Sequence, residues 1–356
     1  MGLITRDFQS DNPLTPQTQS AIAELFLRDW PSPEKLHHQS RQSAIRLDQA
    51  RESLASHLHV EPDQLEFVSG TATAFSLAIN GLLTDSTRTF FYGAVDRRIP
   101  FAVAAIHENR GGRSKKIPTD KTGIIDYESV HADRNSAGTV LAWQSINRET
   151  GIIQHSIDGT RDGSTPIYVA ADMTTSAFTH LPDQWDSAIW EPASWGGPRG
   201  IGILAIKSAA WRNPGAQISH YRSAPDFSVP LVIASAIALE ETLALRNDDH
   251  IRVLHESFIR ELRSLTSCEV VGEDSPRDLR KLSIIVPDIE AEEALRELEK
   301  HGFLVDSGSA CITPELNPSS VLAEMGYQPQ GHLRITFREN QSESDCIDLA
   351  RAIGAL

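Results

Sequence analysis

The sequence predicts an α/β fold, with a large domain on a mostly parallel, doubly wound sheet followed by a smaller α+β domain. Three observations predict it. From about Leu65, short apolar runs alternate with amphipathic stretches. The intervals between those runs leave room for a helix between successive strands, the pattern of repeated βαβ units. After Pro230 the texture changes to long helices followed by shorter mixed elements.

Leu65-Glu66-Phe67-Val68 reads as the first strand, followed by a helix through Leu77 and Ile79. Thr89 to Tyr92, Thr139 to Trp143 and Ile167 to Ala171 are further strands, and Ile189-Trp190 and Gly202 to Ile206 complete the set. Ligands of such sheets sit at the carboxyl ends of the strands, so the loops after these runs are where chemistry is expected. Leu231 to Leu245, rich in Ala, Leu and Ile, reads as a helix, and His250 to Leu265 as another. A strand (Lys281 to Val286), a helix (Glu290 to His301) and a strand (Phe303 to Asp306) follow. The expected division is a large domain over 16–245 and a small domain formed by 1–15 with 246–356.

Composition sets outer limits. The 356 residues are 40% hydrophobic and 23% charged, ordinary for a globular protein with a sizeable core. A formal charge of −15 argues against non-specific binding to nucleic acid or anionic membrane, both of which need a basic surface. The basic cluster at Arg110, Arg113, Lys115 and Lys116 reads as a solvated loop. Met1 to Ser20 is polar and no stretch is apolar enough to span a bilayer, so neither a signal peptide nor an anchor is expected. The three cysteines, Cys268, Cys311 and Cys346, form neither a disulfide framework nor a metal pattern. They suit a reducing, cytoplasmic setting.

Four segments in sequence order carry a resemblance. They are Asp11-Asn12-Pro13-Leu14-Thr15-Pro16, then Leu36-His37-His38-Gln39-Ser40-Arg41 leading to Ala50-Arg51, then Phe67-Val68-Ser69-Gly70-Thr71. The fourth is Ser307-Gly308-Ser309-Ala310-Cys311, with Pro318 to Leu322 and Met325-Gly326 behind it. Together they resemble the cysteine desulfurases of the class V aminotransferase group. That resemblance implies an aminotransferase-like large domain, pyridoxal phosphate as cofactor, and transfer of the sulfur of L-cysteine to a cysteine thiolate on a mobile loop, with release of alanine. The cofactor supplies the carbanion chemistry, and the protein anchors and tunes it.

By that resemblance Cys311 stands at the nucleophile, and its flanking Gly308, Ser309 and Pro314 favour an exposed thiol over a buried small hydrophobe. Arg334 matches the arginine that grips the substrate carboxylate. Asn147, in Asn147-Arg148-Glu149-Thr150-Gly151, matches a substrate-side asparagine, while Arg148 replaces a second asparagine. Asp172 matches the partner of the pyridine nitrogen, although an aspartate after a strand is also a common cap. Thr71 and Ser228 are vestigial phosphate contacts, the latter reaching across from a second subunit. Ala72 replaces a phosphate-binding threonine, and Asp96 falls near a ring-stacking histidine.

The largest departure is at the cofactor lysine. Gly197-Pro198-Arg199-Gly200-Ile201-Gly202 fixes the register, and counting back puts Ser194 where the Schiff-base lysine belongs. Serine forms no imine. Ala193 and Glu191 replace two phosphate-binding groups, and a carboxylate roughly 4 Å from a phosphate repels it by several kcal/mol. Of the seven lysines, Lys207 comes nearest in sequence but lies on the order of 13 Å too far along its strand. None follows a strand at the cofactor position.

The expectation is a degenerate desulfurase-like protein with no cofactor, acting as partner subunit, scaffold or persulfide carrier in sulfur or iron–sulfur metabolism. It would form a homodimer, or a heterodimer with an active desulfurase, and dock a sulfur-acceptor protein. Two alternatives stand beside it: an active pyridoxal-phosphate enzyme with an unusual site, and a binding protein unrelated to sulfur transfer. Losing the lysine weighs for the first, since acid–base help alone is worth about 10²–10⁴-fold. Trp190 and Trp195, flanking the altered motif, either fill the vacated cleft or pack against the sheet.

Overall fold

The computed structural model describes residues 6–133, 136–157, 166–212, 227–308 and 319–356. Two helices come first, α1 (Pro16–Arg28) and α2 (His38–Leu58). A proline opens α1, where its missing N–H leaves no hydrogen bond unmade. The large sheet follows: β1 (Leu65–Val68), α3 (Thr71–Asn80), β2 (Thr89–Gly93), α4 (Arg98–Asn109), β3 (Arg113–Ile117), β4 (Thr139–Gln144), β5 (Ile167–Asp172), β6 (Ser187–Trp190) and β7 (Gly202–Ile206). Its strand order is β1-β7-β6-β5-β4-β2-β3. The neighbours from β3 to β6 are parallel, and β7 runs antiparallel to both β6 and β1.

Both faces of this sheet are covered, as its apolar strands require. Phe67, Phe91, Leu141 and Ala205 point into a core shared with α2 and with α5 (Val229–Leu245). Their immediate neighbours Val68, Phe90, Val140 and Leu204 point into a second core under α3 and α4. That alternation is the period-two geometry of a strand. Helix α5 is apolar nearly all round and correspondingly buried, from Val229 to Glu241.

One expectation is corrected here. Arg113 to Lys116 is not a loop but the edge strand β3, whose side chains face solvent except for Ile117. Charge on an exposed edge also discourages pairing with another chain.

The second unit contains α6 (Asp248–Leu265), β8 (Glu269–Val270), β9 (Lys281–Ile285), α7 (Ala291–Lys300), α8 (Ser320–Glu324), β10 (His332–Thr336) and α9 (Glu343–Gly354). Its small antiparallel sheet, in the order β10-β9-β8, packs a core of Ile251, Phe258, Leu282, Ile284 and Leu349. The N-terminal segment joins this core through Phe8, which meets Phe303 and, edge-on, Phe337 at 6.4 and 6.3 Å between ring centroids. Phe303 to Asp306 is not the regular strand expected; it makes two isolated bridges, Leu304 to Asp7 and Asp306 to Arg334. Leu322, Met325 and Tyr327, by contrast, pack into the large core, so the two units share a boundary. Among the described residues, no helix is long and apolar enough to cross a membrane.

Candidate functional site

At that boundary the loops leaving β4, β5 and β6 face the start of β9 and the segment Ser10–Asn12, enclosing a cavity of about 40 Å³. Ser194 lies in a single 3-10 turn, Pro192–Trp195, directly after β6. Its N–H donates to Glu191 O at 2.9 Å, and its carbonyl accepts from Asn12 Nδ2 at 2.9 Å. The turn is closed by glycines that nothing larger could replace. Gly196 has φ 75°, and a Cβ on Gly197 would stand 2.9 Å from the carbonyl of Pro192. The backbone is therefore fully tied, while the Ser194 hydroxyl is buried with no hydrogen-bond partner.

The charges around it are unevenly paired. Glu191 is bound to Arg97 at 2.9 Å, with side chains only 22% and 15% exposed, and Arg97 also lies over the Phe75 ring. Asp11 pairs with Arg199 at 2.5 Å near the rim. Arg148 and Lys281, which line the same cavity, have no side-chain hydrogen bond or ion pair among the described residues. Burial pushes the Lys281 ammonium down to about 8; Asp278 pulls it up, and Arg148, Arg334 and Arg338 push it down further. Arg148 is likewise lowered by desolvation and then by Arg97 and Arg334, against the upward pull of Glu191 and Asp11. Sequence reasoning missed Lys281, which reaches the cleft from the small sheet, facing the wall that carries Ser194. Lys207, rejected above, holds its ammonium over the Trp185 ring.

The other predicted residues divide. Asp172 ends β5 and accepts from both the N–H and the hydroxyl of Thr174, at 2.8 and 2.5 Å. It shares a second, smaller void with Asp96, whose carboxylate accepts from Gly93 N and Gln144 Nε2, each at 2.7 Å. Burial raises both carboxyls above their ordinary range, and each acid's neighbouring carboxylates add to the rise.

Because the folded pKa of Asp172 exceeds the unfolded one, its ionised form costs stability. The cost is full above the folded pKa and fades as pH falls towards the unfolded value. Asp172→Asn keeps the acceptor for Thr174 and removes the charge. It is expected to raise the melting temperature at pH 7 by roughly 2 °C, about what 1 kcal/mol produces in a chain of this size, and the gain should shrink on acidification. Calorimetry at pH 7 and pH 5 checks this.

Asn147 is not free to contact a substrate. Its Nδ2 donates to Val95 O and Gln144 Oε1, and its Oδ1 accepts from Glu149 N, Thr150 N and the Thr150 hydroxyl. Its role here is to hold the loop that carries Arg148. Arg334 donates to Ser307 O at 3.1 Å and lies 3.9 Å from Asp306, with its Nε buried and unpartnered. Thr71 opens α3 and Ser228 precedes α5, and neither lines the cavity. Trp190 and Trp195 are core residues, 1% and 2% exposed, and do not fill the cleft. Cys311 lies outside the described residues. Of the other thiols, burial raises Cys268 and pushes Cys346 up to about 12, so neither is an activated nucleophile.

The family model of aminotransferase class V matches residues 14–348. The chain belongs to the class V aminotransferase family. Relatives within it include cysteine desulfurase IscS of Dictyoglomus turgidum, 23% identical over 350 residues covering 93% of this chain and 88% of the relative. Cysteine desulfurase IscS of Rickettsia akari is 24% identical over 361 residues, covering 94% of this chain and 85% of its own. Among solved structures, a NifS-like protein superposes with a TM-score of 0.85 at 19% identity, covering 98% of both chains. SspA in complex with cysteine gives 0.78 at 17% identity, covering 95% of this chain and 100% of that one. These structural likenesses establish the fold.

The described residues do not form a seat for the family's pyridoxal phosphate as an internal imine. Position 194 offers a hydroxyl, and Glu191 beside it presents a carboxylate bound to Arg97. The cavity of about 40 Å³ is far below the 300 Å³ or so at which ligand pockets begin.

Proposed function

We propose that this chain is a cysteine-desulfurase-like protein of sulfur metabolism that has given up the family's imine chemistry. It serves as a partner subunit, docking scaffold or persulfide carrier through Cys311. One observation carries the reading: Ser194, set by the Gly197-Pro198 register at the lysine position, is held by its backbone in a closed turn with its hydroxyl facing no partner. The Arg97–Glu191 pair supports it, because the negative charge introduced beside that position is already neutralised within the protein.

The test is spectroscopic. Pyridoxal phosphate added to the purified protein is expected to give no imine absorbance and, after borohydride, no mass gain. A second reading rests on Lys281, an amine lowered to about 8 that lines the same cavity. A borohydride-reducible adduct mapped to Lys281 would establish that reading and overturn the first.

A further inference from the structure

We propose that the cavity floor formed by Arg148, Lys281 and Ser194 binds a small oxyanion. This rests on the reading that the cofactor seat has been vacated, and it names what the altered site now recognises.

The chain holds 48 acidic and 33 basic residues, so carboxylates are in excess. Around the cavity that excess is used up: Glu191 is taken by Arg97 and Asp11 by Arg199. Among the described residues, Arg148, which is exposed, and the half-buried Lys281 line one small cavity without a bonded carboxylate, although Glu191 and Asp11 attract Arg148 from a distance. The nearest relief for Lys281 is the attraction of Asp278, opposed by three arginines. An anion between Arg148 and Lys281 would relieve the repulsion between them.

The neutral groups suit the same ligand. The Ser194 hydroxyl is a buried donor without an acceptor, and Thr174 and Thr175 line the adjoining wall. Leaving a buried polar group unpaired costs about 1–3 kcal/mol, which an oxyanion would recover. Size narrows the class. About 40 Å³ is a few times the roughly 10–15 Å³ needed to hold one water. One central atom with its oxygens fits this scale, whereas an amino acid or nucleotide does not. The lining carries three cations, Arg148, Arg199 and Lys281, against two carboxylates, Asp11 and Glu191, and a net positive floor favours the more highly charged anion. This floor is distinct from Arg334, the residue that the family resemblance assigns to the substrate carboxylate, since Arg334 is not among its lining residues.

The experiment is calorimetric titration of the full-length protein with sodium sulfate, thiosulfate, phosphate and acetate, against sodium chloride at equal ionic strength. Saturable one-to-one binding is expected for the dianions, with acetate weaker. Comparing thiosulfate with phosphate separates a sulfur oxyanion from inorganic phosphate as the source. Lys281→Met and Arg148→Gln should each weaken sulfate binding at least tenfold, with Lys281→Arg restoring most of it. Unchanged melting of the free variants shows that they fold. Sulfate acting no differently from chloride, or the two charge-removing variants binding as tightly as the unaltered chain, would overturn the proposal. The two readings fail distinguishably: a protein that forms no imine and binds no sulfate retains the functional reading and loses this one. A protein whose Lys281 forms an imine loses both, because the amine proposed to hold the oxyanion would hold the cofactor.

Discussion

Supplied with pyridoxal phosphate and L-cysteine, the purified protein is expected to release alanine no faster than the cofactor alone in buffer. The cofactor's ring supplies an electron sink wherever it is, so the protein's part is to capture substrate, move protons and hold the phosphate. Each contribution fails at an identifiable residue. Ser194 has no amine for imine exchange and no basic atom for proton transfer, a deficit of about 10²–10⁴-fold by itself. Glu191 is engaged with Arg97. Asn147 is consumed in its own turn. Lys281 lines the cavity from the opposite unit, so its presence does not restore a group that leaves the strand end with the family's geometry. Amino-acid analysis of the reaction is the measurement. Alanine accumulating tenfold above the protein-free control would refute the loss of turnover.

How much of this was legible in the sequence depends on how local the signal was. Strands β1 and β7 were readable to the residue because apolar runs are bounded there by turn-forming glycines. β3 was not, since an exposed edge of arginine and lysine carries no apolar alternation. Phe303 to Asp306 was over-read in the opposite sense: its apolar residues are buried, but its backbone finds only two bridging partners. Ser194 was legible because a rigid Gly-Pro register lies three residues away. Lys281 was not, because only the packing of the small sheet against the large one brings it to the same cavity, and no sequence period encodes that.

The charges around Ser194 are largely matched. A carboxylate placed at Glu191 without a partner would cost several kcal/mol in a shielded position. Instead Arg97 meets it, and Asp11 and Arg199 meet each other at the rim. Asp96 receives two hydrogen bonds at 2.7 Å. These pairings are mutually consistent in charge, as neighbouring positions of a well-specified fold are. The exception is Arg148 and Lys281, which have no bonded partner among the described residues.

Trp195→Ala is expected to produce the largest loss of stability of any single change near the site, about 4 kcal/mol by the range for buried aromatic truncations. The indole is 2% exposed within the large core, and its Nε1 donates to Ser235 O at 3.0 Å. From the same residue the backbone carbonyl accepts from the Thr242 hydroxyl at 2.8 Å, so Trp195 fastens the altered turn to α5 by both side chain and main chain. Truncation removes the packing and the side-chain bond together, leaving a void that the flanking glycines cannot fill. Trp30, 70% exposed, is the control; its replacement by alanine should stay within about 0.5 kcal/mol. Urea unfolding of both variants measures the contrast, with the midpoint expected to fall for Trp195→Ala at an unchanged slope. A Trp195→Ala variant as stable as the parent would mean that the indole lies over the cleft and not in the core, and the cavity would then be far larger than its described walls allow.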